Sequence, residues 1–149
     1  LNFDGNTFLK GEHKISPRNN FWDSRKIGVG PSPIRTDDGY LMIYQAVGEK
    51  DPGRYKIGAM LLDDKNPTKV IARSNEPILS PDMWYENDGH KAGVAYPCGA
   101  VAMENNLIVY YGGADTVVCA ATARLDEFVH NLKKHKEIKL SPDFVSHLS

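Results

Sequence analysis

Residues 31–44 read PSPIRTDDGYLMIY and residues 97–110 read PCGAVAMENNLIVY. The second copy begins 66 residues after the first, and in that register Pro, Leu and Tyr coincide. Both copies set a turn-forming stretch, Asp37-Asp38-Gly39 or Glu104-Asn105-Asn106, between two short apolar runs, which is hairpin chemistry. Each then reaches another apolar strand, KIGAMLLD from Lys56 and VCAATARLD from Val118. The repeating unit is strand, turn, strand, loop, strand, and a fourth strand or linker. Such a unit hides its faces only against neighbours of the same kind, so the repeat predicts blades of an all-β propeller. A complete β-sandwich of about seven strands is the competing fold, and the internal repeat argues against it.

Around the repeat, β-branched, aromatic and aliphatic runs broken by Gly, Pro, Asn and Asp predict strands over 32–36, 40–47, 55–63, 70–74, 95–103, 106–112 and 116–124. One short C-terminal helix is predicted over 125–135: Leu125, Phe128, Val129 and Leu132 recur at helical spacing, with acids early and bases late. The chain divides into a blade edge over 1–20, a blade over 27–79, a second over 92–124, the helix, and a tail over 136–149. Two blades do not close a ring. The chain is therefore expected to supply the last two to three blades of one propeller, with an open sheet face on its N-terminal side that a missing N-terminal half covers.

The 149 residues carry a net charge of −1 with both signs interspersed, which leaves no electrostatic footprint for nucleic acid or an anionic membrane. No apolar stretch approaches the roughly 18 residues a membrane span needs, and no signal-peptide pattern opens the chain. A soluble protein is expected, the cytoplasm slightly favoured; the start at Leu1 suits a processed or partial product, and a homo-oligomer is compatible with the composition. Cys98 and Cys119 lack CxxC spacing and read as small buried hydrophobes. The five histidines are dispersed without metal-ligand spacing, so no metal and no cofactor are expected.

Four stretches carry candidate chemistry. Residues 21–30, FWDSRKIGVG, place Arg25 and Lys26 before a glycine-rich strand start, where cations and closely approaching backbone suit a phosphate or a sugar hydroxyl; a solvated turn is the plainer reading. Trp84-Tyr85-Glu86 joins flat aromatics to a carboxylate, as a sugar site requires, although a loop Trp more often simply packs. Asp115 lies just past the apolar strand that ends in Tyr110-Tyr111-Gly112-Gly113; it either reaches a shared rim or caps its own turn. Gln45 holds the corresponding strand end one repeat earlier.

The blocks WDSRKIGVGPSPIRTDDGYLMIYQAV, RYKIGAMLLDDKNPTKVIARSNEPIL, WYENDGHKAGVAYPCGAV and LIVYYGGADTVVCAATARLDEFVHNL, in that order, resemble the second half of glycoside hydrolase family 130. The resemblance implies a five-bladed propeller acting on β-mannosides or mannooligosaccharides. Its phosphorylases use one Asp as general acid and inorganic phosphate as nucleophile and co-substrate, giving mannose 1-phosphate with inversion. That Asp belongs to the family's first half, and no position here matches it. Lys26, Tyr55 and Gln45 resemble phosphate-site positions, and Asp115 resembles a sugar-binding carboxylate; Trp84 and Tyr85 remain substrate-binding candidates through their aromatic faces. Glu86 resembles the carboxylate that activates water in hydrolytic members. Gln45 stands where many of the phosphorylases have His, and a neutral amide carries no charge for an anion. Hydrolysis, or a non-catalytic sugar-binding propeller, is accordingly the alternative to phosphorolysis.

Overall fold

The computed structural model describes residues 14–142. Most of the predicted blade edge over 1–20 and the end of the predicted tail lie outside the described residues. Among the described residues, eight strands form two antiparallel sheets, with one α-helix behind them. The first sheet holds β1 (Lys26–Val29), β2 (Ile34–Thr36), β3 (Gly39–Val47), β4 (Lys56–Leu62) and β5 (Val70–Arg73). The second holds β6 (Ala95–Met103), β7 (Asn106–Gly113) and β8 (Val117–Arg124).

In the first sheet the order is β1-β3-β4-β5, and β2 continues along β3 beside β1. The strand predicted from 32 begins at Ile34, because Pro31 and Pro33 lack the N–H that a ladder needs. β1 was not among the predicted strands; its sequence KIGV is too short and glycine-broken to show a period. It pairs with β3 from Lys26 opposite Val47 to Val29 opposite Tyr44.

Side chains alternate strictly between two cores, as the strand period of two requires. Leu41 and Ile43 of β3 and Ile57, Ala59 and Leu61 of β4 pack with Leu107, Val109 and Tyr111 of β7, which joins the sheets face to face. Tyr44, Ala46, Met60 and Leu62 point the other way, where Ile15, Trp22 and Ile27 pack against them. The open face expected on the N-terminal side is thus partly covered. The exposed apolar face belongs instead to the second sheet, where Val101, Met103, Tyr110 and Val118 stand on the side away from the first, Val118 at 85% exposure.

The hairpin between β6 and β7 turns on Glu104 (φ 48°) and Asn105 (φ 64°), both left-handed, the tight two-residue loop its sequence implies. The helix α1 (Leu125–Lys133) ends two residues before the predicted 135 and buries Phe128, Val129 and Leu132. The tail prediction needs correction at its start. Ile138 and Leu140 are 7% and 6% exposed in the main core, and Ser141 exchanges backbone hydrogen bonds with Thr122 at 2.8 and 2.9 Å, occupying the outer position of the second sheet. Cys98 is exposed, contrary to expectation, because strand alternation after the inward-facing Ala95 and Pro97 places it on the outer face of β6; Cys119 is half-buried.

Asp23 anchors the segment that leads into β1. It is fully buried and accepts hydrogen bonds from Arg18 Nε and Nη2 and from the Tyr44 hydroxyl at 2.9 to 3.2 Å, with Arg73 Nη2 at 2.6 Å. A buried carboxylate is stable only when matched in this way. Three residues, Arg18, Tyr44 and Arg73, thereby hold Trp22-Asp23-Ser24, and β1 starts from a fixed point.

Candidate functional site

Tyr55 stitches the two sheets together. Its N–H donates to the Gly93 carbonyl at 2.9 Å and its carbonyl accepts from Ala95 N at 3.1 Å, just before β4 on one side and at the start of β6 on the other. Two cations meet its ring. Lys26 Nζ donates to the Tyr55 hydroxyl and lies 4.5 Å from the ring centroid, and Lys91 Nζ lies 4.5 Å from the same centroid. The hydrogen bond from Lys26 is the main cause that lowers the Tyr55 hydroxyl below the usual 10, with the charges of Lys26 and Lys91 adding to it and slight burial and Asp115 opposing.

Tyr96 of β6 stands beside Tyr55, ring centroids 6.2 Å apart, and the two rings belong to both of two adjoining cavities. One cavity, about 170 Å³, is lined by Lys26, Gly28, Gln45 and Ala46 with the two tyrosines. The other, about 140 Å³, adds Lys91, Val94 and Asp115. Lys26, Gln45, Tyr55 and Asp115, chosen from distant parts of the sequence, therefore share one rim.

Asp115 is carried by a strained turn. Ala114 (φ 49°) and Asp115 (φ 52°) are both left-handed without being glycine, and Thr116 N closes the turn on the Gly113 carbonyl at 2.9 Å. Such backbone costs about 1 kcal/mol or more per residue and persists where the surroundings impose it. Here Ala114 is fully buried and accepts from Lys91 N at 3.0 Å, which clips the loop before β6 to the loop before β8.

Gln45 is 9% exposed, and its amide is oriented with the nitrogen donating to Gly28 O (2.8 Å) and Val29 O (3.0 Å) and the oxygen accepting from the Tyr96 hydroxyl (3.0 Å). The reverse orientation would set its oxygen against two carbonyl oxygens. Gln45 lines the cavity, but its donors are engaged, so its expected hydrogen bond to an anion requires the amide to leave Gly28 and Val29.

Three expected site residues lie elsewhere. Glu86 is fully buried; Oε1 accepts from the Tyr111 hydroxyl at 2.7 Å and Oε2 from Met83 N at 2.8 Å. In this arrangement both carboxylate oxygens are engaged, and Glu86 braces the 3-10 turn Trp84–Glu86. Trp84, 73% exposed, and Tyr85 line a separate apolar cleft of about 540 Å³ with Tyr110, Val118, Cys119 and Pro142. That cleft shares no residue with the two cavities at Tyr55. Conversely, Lys91 and Tyr96 were not singled out from sequence. Tyr96 had a signal, an aromatic between the inward-facing Ala95 and Pro97; Lys91, in a loop, had none.

Residues 4–134 match the model of the glycoside hydrolase 130 family, described as beta-1,4-mannooligosaccharide phosphorylase. The chain belongs to glycoside hydrolase family 130. Within the family it is 41% identical over 118 residues to a 1,2-beta-oligomannan phosphorylase of Thermoanaerobacter sp. (strain X514), covering 78% of this chain and 39% of that protein. It is 38% identical over 132 residues to a beta-1,4-mannooligosaccharide phosphorylase of Ruminococcus albus, covering 86% and 39%. The fold superposes on beta-1,2-mannobiose phosphorylase from Listeria innocua, solved as its beta-1,2-mannobiose complex, with a TM-score of 0.74 and 37% identity over 80% of this chain and 33% of that one. The chain thus spans less than two fifths of the length of these family 130 relatives.

Proposed function

We propose that the protein cleaves β-mannosidic linkages by phosphorolysis, with inorganic phosphate as nucleophile and co-substrate, giving mannose 1-phosphate. The observation that carries this reading is the pair of ammonium groups, Lys26 and Lys91, at the Tyr55 ring beside a single carboxylate, Asp115. Phosphorolysis brings an anion into the site as nucleophile, and Lys26 and Lys91 bring positive charge for it to the two cavities. Lys26 and Tyr55 bind the phosphate in this reading, Gln45 walls its cavity, and Asp115 accepts hydrogen bonds from sugar hydroxyls.

The general acid comes from residues beyond this chain's match to its relatives, on the further blades that complete a five-bladed ring. The exposed apolar face of β6–β8 is the surface such a blade covers. The neutral Gln45 favours hydrolysis as the second reading. Incubating the full-length protein with β-1,2- and β-1,4-mannobiose, with and without phosphate, separates the two. Phosphate-dependent appearance of mannose 1-phosphate is expected, and release of mannose at the same rate without phosphate would overturn phosphorolysis.

A further inference from the structure

Gln45 is neutral and its amide nitrogen is held by two backbone carbonyls, so the second positive charge on this rim comes from elsewhere. Lys91 supplies it from the loop that leads into β6. Its ammonium is as close to the Tyr55 centroid as that of Lys26, 4.5 Å in each case. The two nitrogens are then at most 9 Å apart, the sum of those two distances. Among the described residues neither forms an ion pair with a carboxylate, although seven other pairs occur. Two unmatched like charges around one ring repel each other, and an anion between them relieves that repulsion.

The backbone at Lys91 is fixed. Lys91 N donates to Ala114 O at 3.0 Å, the adjacent His90 N donates to Thr116 Oγ1 at 2.8 Å, and Gly93 N donates to Glu86 O at 3.0 Å. Gly93 adopts φ 77°, which turns the chain sharply into β6. The exposed lysine is thus presented on an ordered loop.

We infer that Lys91 is a phosphate-binding cation of this site, sharing the anion with Lys26 from across the seam between the two sheets. This rests on the phosphorolytic reading and assigns the affinity for the co-substrate to a residue of the loop before β6. Both lysines also lower the Tyr55 hydroxyl, in the direction a common field from the two ammoniums produces.

The test uses the full-length protein at constant ionic strength. Lys91→Ala is expected to raise KM for phosphate about tenfold, with KM for the mannoside within about twofold, and Lys91→Arg to restore most of the loss. Unchanged KM for phosphate in Lys91→Ala, or a rise confined to the mannoside, overturns the role of Lys91. Calorimetric titration with inorganic phosphate alone keeps this separate from turnover. A wild type that binds phosphate more tightly than Lys91→Ala yet forms no mannose 1-phosphate defeats phosphorolysis while supporting Lys91. Equal affinity in the two proteins, or no binding to either, defeats Lys91 whatever the reaction proves to be.

Discussion

The Tyr111 hydroxyl donates to Glu86 Oε1 at 2.7 Å inside the protein, with both side chains essentially inaccessible to solvent. Burial, then the carboxylate and Tyr85, push the Tyr111 hydroxyl far up. Removing the carboxylate leaves Met83 N without its acceptor and takes from the Tyr111 hydroxyl the oxygen it donates to, in a dry environment. Glu86→Ala should therefore lose about 2–4 kcal/mol of stability in urea denaturation. Tyr111→Phe should lose about 1–2 kcal/mol, because Met83 still holds the other oxygen. A Glu86→Ala protein of unchanged stability would refute this structural role.

Burial is also the main reason that Tyr44 is raised from the usual 10 to about 12. A hydroxyl whose folded value lies above its unfolded one favours the neutral, folded form. Its stabilising contribution is complete below pH 10 and is lost as the unfolded chain ionises between pH 10 and about 12. The loss amounts to roughly 3 kcal/mol over that window. Tyr44→Phe should be less stable at pH 8 and show a flatter fall above pH 10 in denaturation at a series of pH values. A parallel fall in both proteins would show that Tyr44 does not ionise on unfolding.

Tyr55 shifts the other way, and its cause can be removed. Absorbance at the tyrosinate band should show Tyr55 ionising below the usual range in the wild type, using Tyr55→Phe to identify its contribution. Lys26→Met should raise that transition most, since Lys26 gives both a hydrogen bond and a charge, and Lys91→Met should raise it less, through charge alone. The opposite ranking would mean that the lysines exchange places in solution.

Gly39 tests the blade geometry. It adopts φ 129°, and an added Cβ would sit 2.2 Å from the Leu62 carbonyl oxygen, which the sheet holds in place. Gly39→Ala combines that clash with a forbidden backbone angle and should cost about 3 kcal/mol or more. Gly28→Ala meets only the end of the Gln45 amide side chain, whose nearest atom lies 2.1 Å from the added Cβ. It should disturb the cavity wall more than stability, seen as a raised KM for phosphate with a near-normal melting temperature.

Strand alternation and turn chemistry are local properties, and they were legible. Seven of the eight strands, both hairpin turns and the helix follow from residues within a few positions of each other. β1 escaped because four residues containing a glycine show no period, and its pairing depends on the far end of β3, Tyr44 to Val47. The docking of Ile138 and Leu140 escaped for a similar reason: what buries them is the far side of the chain.

For the site, the sequence alone determined which residue types were available and that Gln45 and Asp115 belong to corresponding strand ends of the repeat, while Lys26 and Tyr55 entered through the family resemblance. It could not say that Glu86 turns inward to Tyr111, or that Lys91 reaches Tyr55. Those outcomes depend on which loops meet when one sheet packs on the other, and burial of a carboxylate or approach of two cations is a property of that packing. Tertiary structure alone decided them, because hydrogen bonds and charges act through space while the chain specifies only order.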